Sequence, residues 1–418
     1  MTALIILFAA VVPQQASQSL YSRIVQNPTG RNGYEEYVMA ADRVIVGDLR
    51  EAVDAIDIDD GESTRLARIK IVFDKSHDIA RLITTGNRKS SYYPNAMNFE
   101  TLLPELGQFR IVSRVLAARA EWQFSQGQPN EAIETTVDLM AFSEGVAGAG
   151  PVIHYLIGTA GKNNALGSLS KHRGRIALPG AADLQLFGQW ALERPSPLLA
   201  ALRTEYEGII ASMDGLLTNR ELTGIAPELK KQLQEMSAVR WALIKDETVF
   251  ALTQTYDARM AMMDQPESEW ESIAEQIGTV AKLADPVAQL VFESILPMNM
   301  RIEKYELVRR AQFRLLVLHA GIIQYKWTHG KRTYGQLPDS LADLDVPISI
   351  IDPLTGEPFK YELVDDEYDL YSEGTPGTGR IDLNWRSTSS SNELMPPNLA
   401  MLSRASSSTT SATRLGTP

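Results

Sequence analysis

The stretch that decides the fold is residues 352–385, DPLTGEPFKYELVDDEYDLYSEGTPGTGRIDLNW. It opens with a turn at Asp352, Pro353 and Gly356, because proline presets φ at the second position and glycine tolerates the exit geometry. The following PFKYELV alternates apolar and polar residues, as a half-buried strand does, and EYDLYS and RIDLNW supply two more short strands. We therefore predict a three-stranded antiparallel sheet over 359–385. A sheet this small needs an apolar partner.

The predicted partner is the helix that directly precedes the sheet. From about Met300 to Thr328, apolar residues recur at three- and four-residue steps and form one stripe along roughly 40 Å at about 1.5 Å per residue. Helix and sheet together define a small C-terminal α+β module over residues 300–386. The remainder, 387–418, is rich in Ser and Thr with little to bury, and is predicted to be disordered.

The rest of the chain is predicted to be a multi-helix body over residues 20–299, so the fold class is mainly α. Asn32 is a plausible N-cap for the first helix, and ESTRLARIKIVFDKSHDIARLI is predicted to form one helix capped by Ser63. The other predicted helices span 106–126, from 131 onward, 151–172, 182–193, 197–218, 227–238, 247–263 and 267–282.

The helix pair around residues 106–147 carries small residues at positions that resemble a tetratricopeptide-type unit. That reading would make the body a repeat-type scaffold with a groove for peptides. Repeat proteins need about three units to bury a continuous core, and no second copy occurs at a fixed period. An ordinary antiparallel hairpin is therefore favoured, and the scaffold stays an alternative.

The N-terminus, MTALIILFAAVVPQQASQS, has an apolar run from Ala3 to Val12. This run is too short to span a bilayer, which takes about 20 residues in a helix, but it matches the apolar part of a secretory signal peptide. No Lys or Arg precedes it, and a short buried first strand or helix is the alternative. We predict a signal peptide over residues 1–19 and export to the periplasm or cell envelope. Membrane contact is then expected only through this segment if it stays uncleaved.

The composition excludes several classes of function. The chain has 418 residues with 40 Lys and Arg against 52 Asp and Glu, a formal charge of −12. This balance argues against a nucleic-acid partner, which would require a clustered basic face. Without any cysteine, disulfides, thiol catalysis, iron–sulfur clusters and Cys-ligated zinc are excluded.

No motif in the sequence assigns catalytic chemistry. The five histidines form no zinc-binding pair on a helix, and neither a nucleophile elbow nor a phosphate-binding loop is present. The glutamates of ESEWES are expected on a solvated helix face. The lack of a catalytic motif in the sequence favours a non-enzymatic protein with protein partners. The alternative is an envelope hydrolase whose site is assembled from scattered polar residues, which a pocket with converging Asp, Glu and His of perturbed pKa would favour.

The segments YKWTHGKRTYGQLPDSLADL, DPLTGEPFKY, YDLYSEG and IDLNW, in this order and spacing, resemble the globular domain of type II secretion major pseudopilins. The resemblance covers residues 305–385, about a fifth of the chain, and similar modules close other exported bacterial proteins. It implies a helix packed on a small antiparallel sheet and assembly side by side into a fibre. The implied role is interaction or assembly at the envelope, linked to a type II secretion-like system. The family's N-terminal cleavage motif and membrane helix are absent, and about 280 residues of helix precede the module instead.

The same resemblance implies a weak calcium site. The family's calcium loop corresponds to EGTPGTGRID, where Pro376 stands in place of an expected aspartate. Asp382 is retained, and Glu373 is the substitute carboxylate. Calcium prefers six to eight oxygen ligands, so two carboxylates hold it weakly at best. The alternative is that Asp382 fixes the loop by hydrogen bonds.

Overall fold

A computed structural model describes residues 19–47, 49–58, 61–96, 101, 103–213, 231–233, 235–280, 283–295, 302–329, 336–364, 367–375 and 378–383. The predicted signal segment before Ser19 and the predicted tail 387–418 lie outside these residues. The described chain is mainly helical, as predicted. Its α-helices are α1 Leu20–Ile24, α2 Gly33–Val46, α3 Leu49–Ile56, α4 Glu62–Lys75, α5 His77–Asn87, α6 Glu105–Ser125, α7 Pro129–Ala147, α8 Val152–His172, α9 Leu178–Glu193, α10 Pro197–Ser212, α11 Ala238–Met262, α12 Trp270–Val280, α13 Pro286–Ile295 and α14 Ile302–His329.

The C-terminal sheet has two antiparallel strands, β1 Lys360–Val364 and β2 Glu367–Tyr371. Lys360 lies opposite Tyr371, and Val364 lies opposite Glu367. Strand β2 turns Tyr368 and Leu370 inward, where both are buried, so this strand follows the predicted alternation. The tip of the hairpin, residues 365–366, lies outside the described residues.

The third predicted strand, RIDLNW, does not form in the part of it that the structure describes. Ile381 makes one isolated antiparallel bridge, exchanging backbone hydrogen bonds of 2.8 and 2.9 Å with Ser372. The physical cause is the intervening loop, which turns through Gly374 and Gly379 in the left-handed region. The chain therefore returns beside β2 too late to extend the ladder before residue 383.

The turn at the start of this region is confirmed. Gly356 has φ +74° and donates its N–H to the Asp352 carbonyl at 2.9 Å. The Asp352 carboxylate also accepts from the Leu354 N–H at 3.0 Å and from the Ser372 hydroxyl at 2.6 Å. The buried Asp352 therefore ties the turn to the end of β2.

Two hydrophobic clusters form the interior, and helix α14 takes part in both. The larger cluster joins α1–α9 to the middle of α14 and to the sheet. The smaller cluster joins α10–α13 to the first turns of α14, through Ile302 and Leu307. A division of the chain near residue 300 stays a prediction, but α14 is packed inside the helical body as well as against the sheet.

The boundaries of α14 match the predicted helix, but its burial differs from the single predicted stripe. Val308, Leu315 and Leu318 are buried as expected, and so are Phe313 and Val317 on the other side of the helix. The reason is that α14 packs along α9 on one side and touches β2 on another.

Two helix predictions are wrong in the first half of the chain. The helix predicted to be capped by Ser63 begins at Glu62 with Gly61 as its N-cap, and it ends at Lys75. A new helix, α5, starts at His77. The interruption is Ser76, which is buried and donates its hydroxyl to the Phe73 carbonyl at 2.8 Å. The N-cap prediction at Asn32 is confirmed, since its side chain accepts from the Tyr34 N–H.

Further predictions fail in the second half. The helix predicted at 247–263 begins earlier than expected, because α11 starts at residue 238 after the N-cap Ser237. The helix predicted at 227–238 is described only in part: residues 231–233 are helical and 235–237 are not, whereas 234 and all of 214–230 lie outside the described residues. The ESEWES run is not simply a solvated face. Trp270 is fully buried, and Glu267 accepts hydrogen bonds from Arg310 and Arg314 of α14, both at 3.0 Å.

We predict that Gly188→Ala destabilises the protein by about 1–3 kcal/mol, the usual range for overpacking. A Cβ at Gly188 of α9 would lie 2.5 Å from Cγ2 of Val317 in α14, and a valine in a helix has one strongly preferred rotamer. Chemical denaturation measures the effect. Gly107→Ala in α6 is the matched control, because nothing lies within 4 Å of its Cβ position. The control should gain up to about 1 kcal/mol from helix propensity, and equal effects at both positions would contradict the close approach.

Candidate functional site

The two predicted calcium ligands follow β2 and do not form a cage in the described chain. Glu373 is largely exposed and lies 3.7 Å from Lys360 Nζ. Asp382 is half-buried between Ile381 and Leu383. No three His, Asp or Glu side chains come together as a metal site among the described residues, and residues 376–377 of the loop lie outside them. The calcium site stays a prediction.

A buried cluster of a tyrosine, a glutamate and a histidine joins three helices of the body. We call Tyr34, Glu105 and His154 the Tyr34 cluster. Tyr34 follows the N-cap of α2, Glu105 is the first residue of α6, and His154 lies in the first turn of α8. The Tyr34 hydroxyl donates to Glu105 Oε1 at 2.9 Å and lies 2.9 Å from His154 Nε2. All three residues are 0% exposed.

Burial shifts the proton equilibria of this cluster strongly. It raises the pKa of Glu105 to about 7 and lowers the pKa of His154 to about 3, because a charged form loses its hydration in the interior. It also raises the pKa of Tyr34 well above its usual value, and the neighbouring Glu105 adds to the rise. At neutral pH the histidine and phenol are therefore neutral, while the glutamate is near its midpoint.

The Tyr34 cluster has the side chains of a general acid–base site, but solvent and substrate do not reach it in this conformation. A carboxyl group with a pKa near neutrality beside an imidazole suits proton transfer. Because none of the three residues is exposed, a substrate reaches them only if the covering segments move. Tyr93 forms part of this cover: its ring packs edge-on against Tyr34 at 5.7 Å, and its N–H donates to the Ala149 carbonyl at 2.7 Å. In this conformation the cluster ties the helices together.

A second buried cluster is ionic and surrounds Arg309 of α14. We call Arg309, Glu306 and Glu144 the Arg309 cluster. Nε of Arg309 donates to both oxygens of Glu144 at 3.0 Å. Nη1 donates to Glu306 at 3.1 Å, and Nη2 donates to the Ala191 carbonyl of α9 at 2.9 Å. Burial alone lowers the pKa of Arg309, but the carboxylates of Glu144 and Glu306 raise it overall. One side chain thus links α7, α9 and α14.

Lys162 of α8 lies near the Arg309 cluster without a hydrogen-bond partner among the described atoms. Its Nζ lies 5.4 Å from the centre of the Phe313 ring. Burial lowers the pKa of Lys162 to about 7, although Glu144 and Glu306 counteract it. An amine with this pKa is a potential nucleophile. Lys162 is only 1% exposed, so the amine is closed to solvent in the same way as the Tyr34 cluster.

One accessible polar pocket of about 480 Å³ opens where α4, α6 and α8 meet. Glu121 lies in it and accepts from Arg65 at 2.6 and 2.5 Å and from Lys171 at 2.5 Å. Arg175 donates to the Phe124 carbonyl at 3.1 Å. Arg65, Lys171 and Glu121 thus neutralise one another. His172 also lines the pocket, where its ring stacks on Phe124 at 4.6 Å, and its Nε2 has no hydrogen-bond partner among the described residues, so no nucleophile is paired with this imidazole nitrogen there.

Sequence reasoning missed both clusters because their partners are far apart in the chain. Tyr34 and His154 are 120 positions apart, and Glu144 and Arg309 are 165 positions apart. A local signal existed only for the second cluster. Glu306 and Arg309 lie three residues apart within the long predicted helix with its apolar periodicity, and charged residues are rarely buried without partners. That pattern could have indicated a buried ion pair.

Comparison with protein-family models, with characterised proteins and with solved structures finds no match for the chain. In the part of the chain that the structure describes, no helix combines the length and apolar character needed to cross a bilayer.

We predict that replacing Glu105 by glutamine changes how stability depends on pH. The folded-state pKa of Glu105 is raised to about 7, so the stability it contributes is complete below its unfolded value near 4.5 and is lost as the pH rises through 7. Between pH 4 and pH 8 the unfolding free energy of the wild type should therefore fall, relative to Glu105→Gln, by about 3 kcal/mol. Denaturant unfolding across this range measures the difference.

Glu134→Gln on the exposed face of α7 is the control, because a solvated carboxyl group changes its surroundings little on folding. A constant difference between wild type and Glu105→Gln at every pH would show that Glu105 is not held in an apolar environment.

We also predict that Arg309→Met destabilises the protein by about 3–5 kcal/mol, the usual cost of leaving buried charges without their partner. The variant removes the cation from Glu144 and Glu306, of which Glu306 is 0% exposed. Lys70→Met is the control, because Lys70 and Asp74 form an ion pair in which each side chain is 54% exposed. Such a pair contributes at most about 1 kcal/mol. Similar losses in both variants would refute the role of the Arg309 cluster.

Proposed function

We propose that this is an exported, non-enzymatic bacterial protein that binds other proteins at the cell envelope, linked to a type II secretion-like system. The apolar N-terminal run supports export, and the resemblance of residues 305–385 to a pseudopilin module supports assembly or interaction. The observation that carries the proposal is the closure of the polar clusters. Tyr34, Glu105, His154 and Lys162 are at most 1% exposed, so the groups best suited to chemistry are closed to a substrate in this conformation.

The position of α14 limits how the C-terminal module can take part in an assembly. Along most of its length α14 is covered by α9, the helical body and the sheet. The resemblance implies side-by-side assembly of the module, and assembly through this helix would require α9 to leave. The sheet is therefore the part of the module that offers surface for a partner.

An envelope hydrolase is the second candidate, and the Tyr34 cluster is the observation that favours it. Its glutamate and histidine have perturbed pKa values and lie on the same tyrosine hydroxyl. The cluster lacks an opening, so this function would depend on movement of the segment that carries Tyr93. A repeat-type peptide scaffold has less support, because α8 packs against both helices of the α6–α7 pair.

Export predicts a cleaved protein outside the cytoplasm. We expect the full-length chain, expressed in a Gram-negative host with a C-terminal tag, to appear in the osmotic-shock fraction with a new N-terminus near residue 20. N-terminal sequencing and fractionation measure both. Ile6→Arg, which interrupts the apolar run, should keep the protein in the cytoplasm with its N-terminus intact. Uncleaved wild-type protein in the cytoplasm would refute export.

A further inference from the structure

Within the part of the chain that the structure describes, β1 has a free edge on the side opposite to β2. The Phe359 N–H donates to the Ile350 carbonyl at 3.0 Å, on the side of β1 opposite to β2. Backbone groups alternate sides along a strand, so the N–H groups of Tyr361 and Leu363 also point away from β2. Neither N–H has a hydrogen-bond partner among the described residues. The edge of β1 is thus paired with Ile350 at Phe359, whereas the backbone N–H donors of Tyr361 and Leu363 have no partner among the described residues.

The same end of β1 is exposed and apolar. Leu363 is 49% and Val364 54% exposed. Unpaired edge strands are templates for another strand, and natural proteins protect them with charge, proline, bulges or a covering segment. The described residues place no proline or bulge between Lys360 and Val364.

Of the two charged residues of β1, Lys360 is paired with Glu373 at 3.7 Å, whereas the charge of Glu362 is not balanced in this way by the described residues. Glu362 lies directly opposite Asp369, a like-charged pair across the two strands. Arg380 donates to both oxygens of Asp369 at 2.6 Å, whereas the partner found for Glu362 is the Tyr371 hydroxyl at 3.2 Å. Glu362, on the edge strand, therefore has no neutralising cation within ion-pair distance among the described residues. In the sequence, the two acids Asp365 and Asp366 directly follow Val364.

We propose that the free edge of β1 binds an extended, basic segment of a partner protein as an additional strand, with a Lys or Arg beside Glu362. Main-chain hydrogen bonds to Tyr361 and Leu363 provide the attachment, and the cation provides the selectivity. This inference deepens the proposed interaction role, on which it rests.

A second copy of this chain fits the edge less well. Antiparallel pairing that uses the donors of both strands places Tyr361 opposite Leu363 of the copy. In that register Glu362 lies opposite the same glutamate of the copy, and like charges directly opposite each other are destabilising. The charge pattern therefore favours a partner with basic residues.

The test uses purified full-length protein and a fluorescein-labelled peptide, Thr-Val-Lys-Val-Lys-Val-Thr, in a fluorescence anisotropy titration. A matched peptide with Glu in place of Lys should bind at least about tenfold more weakly, because it places like charges beside Glu362. The Lys peptide methylated on alternate backbone nitrogens should bind about tenfold or more weakly, because it cannot form the main-chain hydrogen bonds to the edge of β1. Equal binding of all three peptides, or no binding of the first, would overturn the proposal.

Two variants locate the binding. Leu363→Pro removes an N–H that points away from β2, so the β1–β2 hydrogen bonds stay in place. The variant should bind the Lys peptide about tenfold more weakly. Leu363→Ala keeps the N–H and should change the affinity by less than about threefold, since one partly exposed side chain is lost. Unchanged binding by Leu363→Pro, or self-association of the wild type that competes with the peptide, would refute a basic partner at this edge. Peptide binding is independent of export, so failure here is distinguishable from failure of the fractionation experiment.

Discussion

The structure depends on the burial of one helix, α14, at the centre of the molecule. Twenty-eight residues long, it carries apolar side chains on several faces and also Glu306 and Arg309, which are 0% and 3% exposed. A helix of this kind is stable only where neighbours cover the apolar faces and supply counter-charges. Helix α9 covers one side, and Glu144 of α7 provides the carboxylate. The body and the sheet are both arranged around this requirement.

The sequence pattern predicted those features of the fold that depend on interactions between residues close together in the chain. A long apolar periodicity predicts the bounds of α14. The side-chain oxygen of Asn32 makes this residue an N-cap, and the proline and glycine after Asp352 predict the turn there. Predictions failed where a local signal competed with tertiary packing. The helix predicted from residue 247 starts at Ala238 instead, where the Ser237 side chain caps it. The third strand failed because two glycines in the left-handed region lengthen the loop before Ile381.

The candidate sites were less predictable than the fold, for a physical reason. Each depends on side chains that only tertiary structure brings together, such as Tyr34 with His154. Sequence spacing can indicate a site only where its residues share one helix or one loop. It gave no information on proton-sharing groups from three helices. The calcium expectation at Glu373 and Asp382 came from the resemblance, and the structure contributes only the placement of these two residues.

Buried ions often stabilise a protein no better than apolar residues of the same size would, so the Arg309 cluster needs another explanation than stability alone. One such role is to fix the position of α14 along its axis, together with the close approach of Gly188 in α9 to Val317 in α14. The hydrogen bonds of Arg309 to Glu144 and to the Ala191 carbonyl require α14 to keep this axial position. Ten residues further on, about 15 Å along the helix, His319 Nδ1 lies 2.9 Å from the Tyr368 hydroxyl of β2. The axial position that the Arg309 cluster helps to fix therefore also determines where the sheet docks, and with it the direction in which the unpaired edge of β1 faces.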